Sequence, residues 1–205
     1  METVHLAVLD TLADWEPGHA VAGLNQPQFQ RSPGRFAVRT VGLSEAPVTT
    51  LGGVRIVPDL TLDALSPQDS AMLILPGAAV WDEGEGGAFA DAAGAFLDAG
   101  VPVAAICGAT AGLARAGLLD TRAHTSGALE YLAAQPGYGG AERYVDADAV
   151  TDGDLITAGP TAPVAFAREI FARLDVYAPE VLEAWFGLYS TGDPAWFGRL
   201  MAATA

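Results

Sequence analysis

One residue in this chain has both the type and the setting of a nucleophile: Cys107, the single cysteine among 205 residues. It follows the apolar run Val101-Pro102-Val103-Ala104-Ala105-Ile106, and Gly108-Ala109-Thr110-Ala111-Gly112 comes directly after it. A nucleophile on a strand-to-helix elbow needs small neighbours, because the turn is tight and strains its central residue. At a helix start a thiol also meets the positive end of the macrodipole and free amide donors, and both favour the reactive thiolate. The competing reading is a buried cysteine that merely fills space. Strand, Cys-Gly, then helix is the more specific pattern of the two.

Two further stretches carry groups that assist such a thiol. Glu16 lies in Leu12-Ala13-Asp14-Trp15-Glu16-Pro17, just past the first apolar run. Beside a thiolate its carboxyl is pushed toward the protonated form, which hydrogen-bonds to sulfur. Alternatively it supports the dipole of the helix that Pro17 opens, a task Asp14 fills as easily. Pro76-Gly77-Ala78-Ala79 ends another apolar run. Gly77 lets the backbone approach a ligand closely, and its amide with that of Gly108 is the expected oxyanion hole. Ala78, Trp81 and Asp82 are placed as pocket walls. Of His5, His19 and His124, the last is the candidate base for a Cys-His pair, set against a histidine that only hydrogen-bonds.

No His, Cys and acid cluster has metal-ligand spacing, so neither a metal nor another cofactor is expected. Gly84-Glu85-Gly86-Gly87 is acidic and does not follow a strand, which argues against a phosphate cradle.

The elements that must position these residues read as an α/β alternation. Val4 to Leu9, Phe36 to Val41, Ala71 to Leu75 and Val101 to Ile106 predict strands. Leu51-Gly52-Gly53-Val54 predicts a hairpin turn, and Tyr144 to Ala158 predicts a hairpin about Asp152-Gly153. Helices are predicted from about Trp15, over Ala88–Ala99, Ala109–Ala116 and Pro163–Leu174, and in two patches after Pro179. Strands separated by helices imply a mainly parallel sheet covered on both faces, with sites beyond the strands' carboxyl ends. The ends after Asp10, Leu75 and Ile106 then converge on one crevice.

Composition bounds the function. Half of the chain is hydrophobic, enough for a sizeable core. A net charge of −15 argues against nucleic acid. One cysteine excludes an intramolecular disulfide, and with no signal-like start or membrane-length apolar run a cytoplasmic protein is expected.

Taken together, Asp14-Trp15-Glu16, Leu75-Pro76-Gly77, Ala104-Ala105-Ile106-Cys107-Gly108-Ala109, Ala116-Gly117-Leu118-Leu119-Asp120 and Gly159-Pro160-Thr161 resemble the PfpI-type intracellular protease family. That family lies within the class I glutamine-amidotransferase-like superfamily. The resemblance covers about Val4 to Val176. It implies a flavodoxin-like three-layer sandwich over residues 1–177, with 178–205 as a helical extension that packs on the domain or on a dimer partner. It also implies a homodimer, Cys107 as the elbow cysteine, Glu16 as the acid bonded to it, Gly77 and Gly108 as oxyanion donors, and Thr161 near the pocket. One departure stands out: many relatives carry a histidine where this chain has Gly127, and here His124 stands three residues earlier. A proteolytic triad is therefore not expected, and no synthase domain or ammonia-accepting partner supports glutamine amidotransfer. The leading expectation is a cysteine-dependent hydrolase or lyase acting on a small molecule or modified amino acid. A redox or stress sensor and a non-catalytic binding protein are the alternatives.

Overall fold

The computed structural model describes residues 1–204. Its central sheet runs through β1 (Glu2–Ala7), β2 (Phe36–Gly42), β5 (Leu60–Thr61), β6 (Met72–Leu75), β7 (Val103–Ile106), β8 (Ala149–Asp152) and β9 (Leu155–Ala158). The spatial order is β5-β2-β1-β6-β7-β9-β8, and every pairing is parallel except the β8–β9 hairpin at one edge. Two short strands, β3 (Val48–Thr49) and β4 (Arg55–Ile56), form a separate ribbon. The helices are α1 (Trp15–Asn25), α2 (Gly87–Asp98), α3 (Gly108–Arg115), α4 (Leu129–Ala133), α5 (Pro163–Arg173), α6 (Pro179–Thr191) and α7 (Ala195–Ala203). The result is a flavodoxin-like three-layer sandwich.

The strand sequences explain the layering. Every residue of β6 and β7 is buried, as strands covered on both faces require. Alternate residues face opposite layers. Ile74, Ala104 and Ile106 meet Leu24 of α1 and Phe166, Ile170 and Phe171 of α5. Leu73, Leu75, Val103 and Ala105 meet Phe89, Ala93 and Phe96 of α2 and Leu113 of α3. Val181, Ala184 and Trp185 of α6 and Leu200 of α7 join the first of these cores, and the Trp185 ring lies 5.0 Å from that of Phe171.

Several expected elements differ in the structure. The hairpin occupies only 149–158, and its two linking residues are Gly153 (φ 61°) and Asp154. Tyr144, at the start of the expected hairpin, makes only a single bridge, to His124. Helix α4 was not foreseen, because five residues carry too little periodicity to register. The strand order reverses direction between β1 and β6, which places a topological switch point there.

Candidate active site

The residues that follow β1, β6 and β7 meet at that switch point. Cys107 caps the N-terminus of α3 with φ 58° and ψ −127°. A side chain in this left-handed backbone region is strained, at about 1–3 kcal/mol. The structure over-determines it: the Cys107 amide donates to the Ala158 carbonyl at 3.1 Å, and its carbonyl accepts from the Thr110 amide and hydroxyl. Behind the elbow, the Thr110 and Ser126 hydroxyls lie 2.7 Å apart.

Glu16 comes from the first turn of α1 and is fully buried. The Gly77 amide donates to its Oε2 at 2.6 Å, while Oε1 has no hydrogen-bond partner among the described residues. Gly77 has to be a glycine here. A Cβ on it would lie 2.7 Å from Glu16 Oε2, 2.8 Å from Cys107 Cβ and 3.1 Å from Cys107 Sγ. The same distances show that carboxyl and thiol share one crevice beside Gly77.

This arrangement revises two expectations. The Gly77 amide is committed to Glu16 and so is not free for an oxyanion. The next amide, that of Ala78, donates to no group among the described residues, and Ala78 and Gly108 both line the cavity. The second revision concerns the thiol. The Gly108 amide favours its ionised form, but burial and the neighbouring Glu16 carboxyl outweigh that and push Cys107 up to about 12. Burial pushes Glu16 up to about 7, against smaller opposing effects of the Gly77 amide and the thiol. At neutral pH the sulfur therefore carries its proton, and the carboxyl beside it is poised between its two states.

A cavity of about 370 Å³ opens over this pair, lined chiefly by Trp15, Leu51, Asp82, Gly127, Tyr131 and Pro160 in addition to the groups above. Leu51 comes from the β3–β4 turn, which Asp14 holds by accepting from the Thr50 hydroxyl at 2.6 Å and the Gly52 amide at 2.7 Å. Asp14 thus positions the ribbon and Glu16 faces the thiol, which separates two roles the sequence left open.

Three anticipated residues lie elsewhere. His124 is fully buried, with Nδ1 2.7 Å from the Arg122 carbonyl and Nε2 2.7 Å from the Tyr138 hydroxyl. Its ring packs edge-on against Tyr138 and Tyr144, and it does not line the cavity. With both nitrogens occupied it is not a base for Cys107. Trp81 is buried beneath the elbow, where its Nε1 donates to the Pro76 carbonyl at 2.9 Å and its ring fills the space left by Gly86 and Gly112. Thr161 is exposed and lines a neighbouring depression with Ser126, Asp146 and Asp148. Conversely, Tyr131 was not anticipated. It reaches the cavity from α4 and donates its hydroxyl to Asp82 Oδ1 at 2.6 Å. No motif links residues 82 and 131, so only the fold brings them together.

Among the described residues no group of three or more His, Cys, Asp and Glu side chains could hold a metal ion, and no helix is long and apolar enough to cross a membrane.

Comparison with known proteins gives one consistent result. The model of the DJ-1/PfpI family matches residues 2–173. The chain is 40% identical over 200 residues to a Bacillus subtilis (strain 168) protein named as the uncharacterized protease YoaZ, covering 97% of this chain and 95% of that one. The crystal structure of a thiJ/pfpI family protein from Bacillus anthracis superposes with a TM-score of 0.93 at 40% identity, over 100% of this chain and 98% of the other. The DJ-1 superfamily protein Atu0886 from Agrobacterium tumefaciens superposes with a TM-score of 0.84 at 34% identity, covering 94% and 99%.

Proposed function

The chain belongs to the DJ-1/PfpI family, and from that premise we propose that it is a cysteine-dependent hydrolase or lyase acting on a small electrophilic molecule. The observation that carries this reading is the pairing of Cys107 with a buried Glu16 whose Oε1 has no partner. A thiol raised to about 12 is a poor nucleophile unless a base removes its proton as it attacks. Glu16, at about 7, has the proton affinity for that task at neutral pH.

In the addition step, the Cys107 sulfur forms a bond to an electrophilic carbonyl carbon. Its proton passes to Glu16, and the carbonyl π electrons move onto oxygen. The Ala78 and Gly108 amides are the donors for that oxyanion. When the adduct collapses, the proton on Glu16 is available to the leaving group. Proteolysis is not part of the proposal, because His124 is held away by Arg122 and Tyr138. The family resemblance extends the proposal to a homodimer, checked by light scattering, and a lone free thiol suits a reducing compartment.

The test is iodoacetamide labelling of Cys107 against pH. Wild-type labelling is expected to rise near pH 7 with Glu16, and Glu16→Gln is expected to abolish that rise. Labelling that follows an ordinary thiol near pKa ~8.5 and ignores Glu16 would overturn the mechanism.

The buried Glu16 carboxyl beside the Cys107 thiol also favours a second reading, redox sensing, since a protonated carboxyl can hold a sulfenic or sulfinic oxygen. Mass spectrometry after mild peroxide tests it, and an unmodified Cys107 in folded protein counts against it.

A further inference from the structure

Charge in the Cys107 cavity has one sign. The ionisable groups that line it are Glu16, Asp82, Cys107 and Tyr131, and among the described residues no lysine, arginine or histidine joins them. The nearby cation, Arg115, is engaged elsewhere: its guanidinium donates to the Trp81 carbonyl and, at 2.5 Å, to Gln135 Oε1. The remaining walls are apolar side chains and backbone, among them Ala13, Leu51 and Pro160.

Three observations point to what such a cavity holds. First, Asp82 is exposed, yet its Oδ1 is fixed by the Tyr131 hydroxyl at 2.6 Å, so the carboxylate is presented in a set orientation and not left to rotate freely. Second, Tyr131 and the exposed Trp15 contribute aromatic rings to the same walls. A carboxylate together with aromatic rings is a setting that attracts organic ammonium groups. Third, Glu16 lines the inner end of the cavity and its buried Oε1 has no hydrogen-bond partner among the described residues, so no cation neutralises that carboxyl. An anion entering this space would lose water and gain no cation in return.

We propose that Asp82 and Tyr131 form the recognition end of the site and bind a protonated amine of the substrate, so that the electrophile delivered to Cys107 is cationic and carries no carboxylate or phosphate. The assignment rests on the reading of Cys107 as a nucleophile. Asp82 then acts in binding, while proton transfer stays with Glu16. The Coulombic influence of Asp82 on the Cys107 thiol is consistent with its charge reaching the sulfur.

The experiment uses the full chain, in which Cys107 is the single cysteine and so the single reporter. Second-order rates are measured for three methanethiosulfonates: aminoethyl (cationic), sulfonatoethyl (anionic) and methyl (neutral). The wild type is expected to react faster with the cationic reagent than with the anionic one. Asp82→Asn is expected to shrink that ratio by about a hundredfold, because one charge about 10 Å away at an effective dielectric of about 20 changes each reagent's rate roughly tenfold, in opposite directions. Asp82→Glu keeps the charge and should keep most of the preference. Glu83→Gln, which removes an exposed charge next in the chain, should leave the ratio unchanged and so controls for the acidic surface as a whole. Normal reaction with the neutral reagent, combined with a ratio that Asp82→Asn does not alter, overturns the recognition proposal and leaves the nucleophile intact. Failure of the neutral reagent to label folded wild type overturns the underlying reading instead.

Discussion

The Gly77 amide donates to Glu16 Oε2 at 2.6 Å, and that one bond leaves the other carboxyl oxygen, Oε1, without a partner in the crevice with the Cys107 thiol. The bond joins the loop after β6 to the first turn of α1. It therefore fixes the acid relative to the elbow through a backbone donor of the β6 loop.

Stability should depend on pH through Glu16. Its pKa in the folded protein, about 7, lies above the ordinary glutamate value of 4.5, so the fold binds this proton more tightly than the unfolded chain does. That contribution is fully present below about pH 4.5 and is lost as pH rises through about 7. Melting temperature should fall across this window in wild type, and Glu16→Gln should remove that part of the slope. A thermal shift series from pH 4.5 to 8 checks it, and an unchanged slope in the variant rejects the assignment.

Backbone strain at the elbow predicts an inversion of the usual rule for glycine. Cys107→Gly should melt above Cys107→Ala, because φ 58° with ψ −127° suits only glycine well. For about 1 kcal/mol of relieved strain, the difference is about 2–4 °C in a chain of this size. Calorimetry of the two variants decides the matter, and equal melting points would show the elbow to be relaxed.

Gly77→Ala should disable the thiol and destabilise the fold together, since its Cβ would fall 2.7 Å from Glu16 Oε2 and 2.8 Å from Cys107 Cβ. Labelling at pH 8 is expected to drop at least about tenfold, a loss of about 1.4 kcal/mol in the barrier. Gly18→Ala on α1 has nothing within 4 Å of the new Cβ and serves as the contrast. It should be neutral or stabilising by about 0.5–1 kcal/mol.

His124→Phe should weaken the fold and spare the chemistry. The change leaves the Tyr138 hydroxyl and the Arg122 carbonyl without their partner, at a cost of about 1–3 kcal/mol. A lower urea midpoint with an unaltered labelling profile is the expected result. A displaced profile would return His124 to the active site.

How much of this the sequence revealed depends on whether a residue's role is local. The elbow at Cys107 and Gly108 was legible because an apolar strand followed by small residues makes one wherever it occurs, and the sheet followed from the same apolar runs, whereas the Gly77 amide, read as an oxyanion donor, is taken by Glu16. Glu16 was half legible: Asp14 and Glu16 both suit a helix start, and only the folded chain shows Asp14 holding the ribbon while Glu16 turns inward. His124 misled because its neighbours in sequence say nothing of Tyr138 and Tyr144, which surround its ring. Trp81 misled in a similar way, its indole being needed to fill the space over Gly86 and Gly112. The Asp82–Tyr131 bond was invisible, since its partners lie 49 positions apart on a loop and an unforeseen short helix.

The two cores on opposite faces of the sheet divide the parts of the site between them. Glu16 rides on α1, whose helix packs in one core, whereas Asp82 and Tyr131 sit on elements anchored in the other through Trp81 and Leu132. Substitutions around α4 alter the cavity mouth without repacking the layer that aims the acid. The acid and the cavity mouth can therefore be altered independently, the one by substitutions on α1 and the other by substitutions on α4.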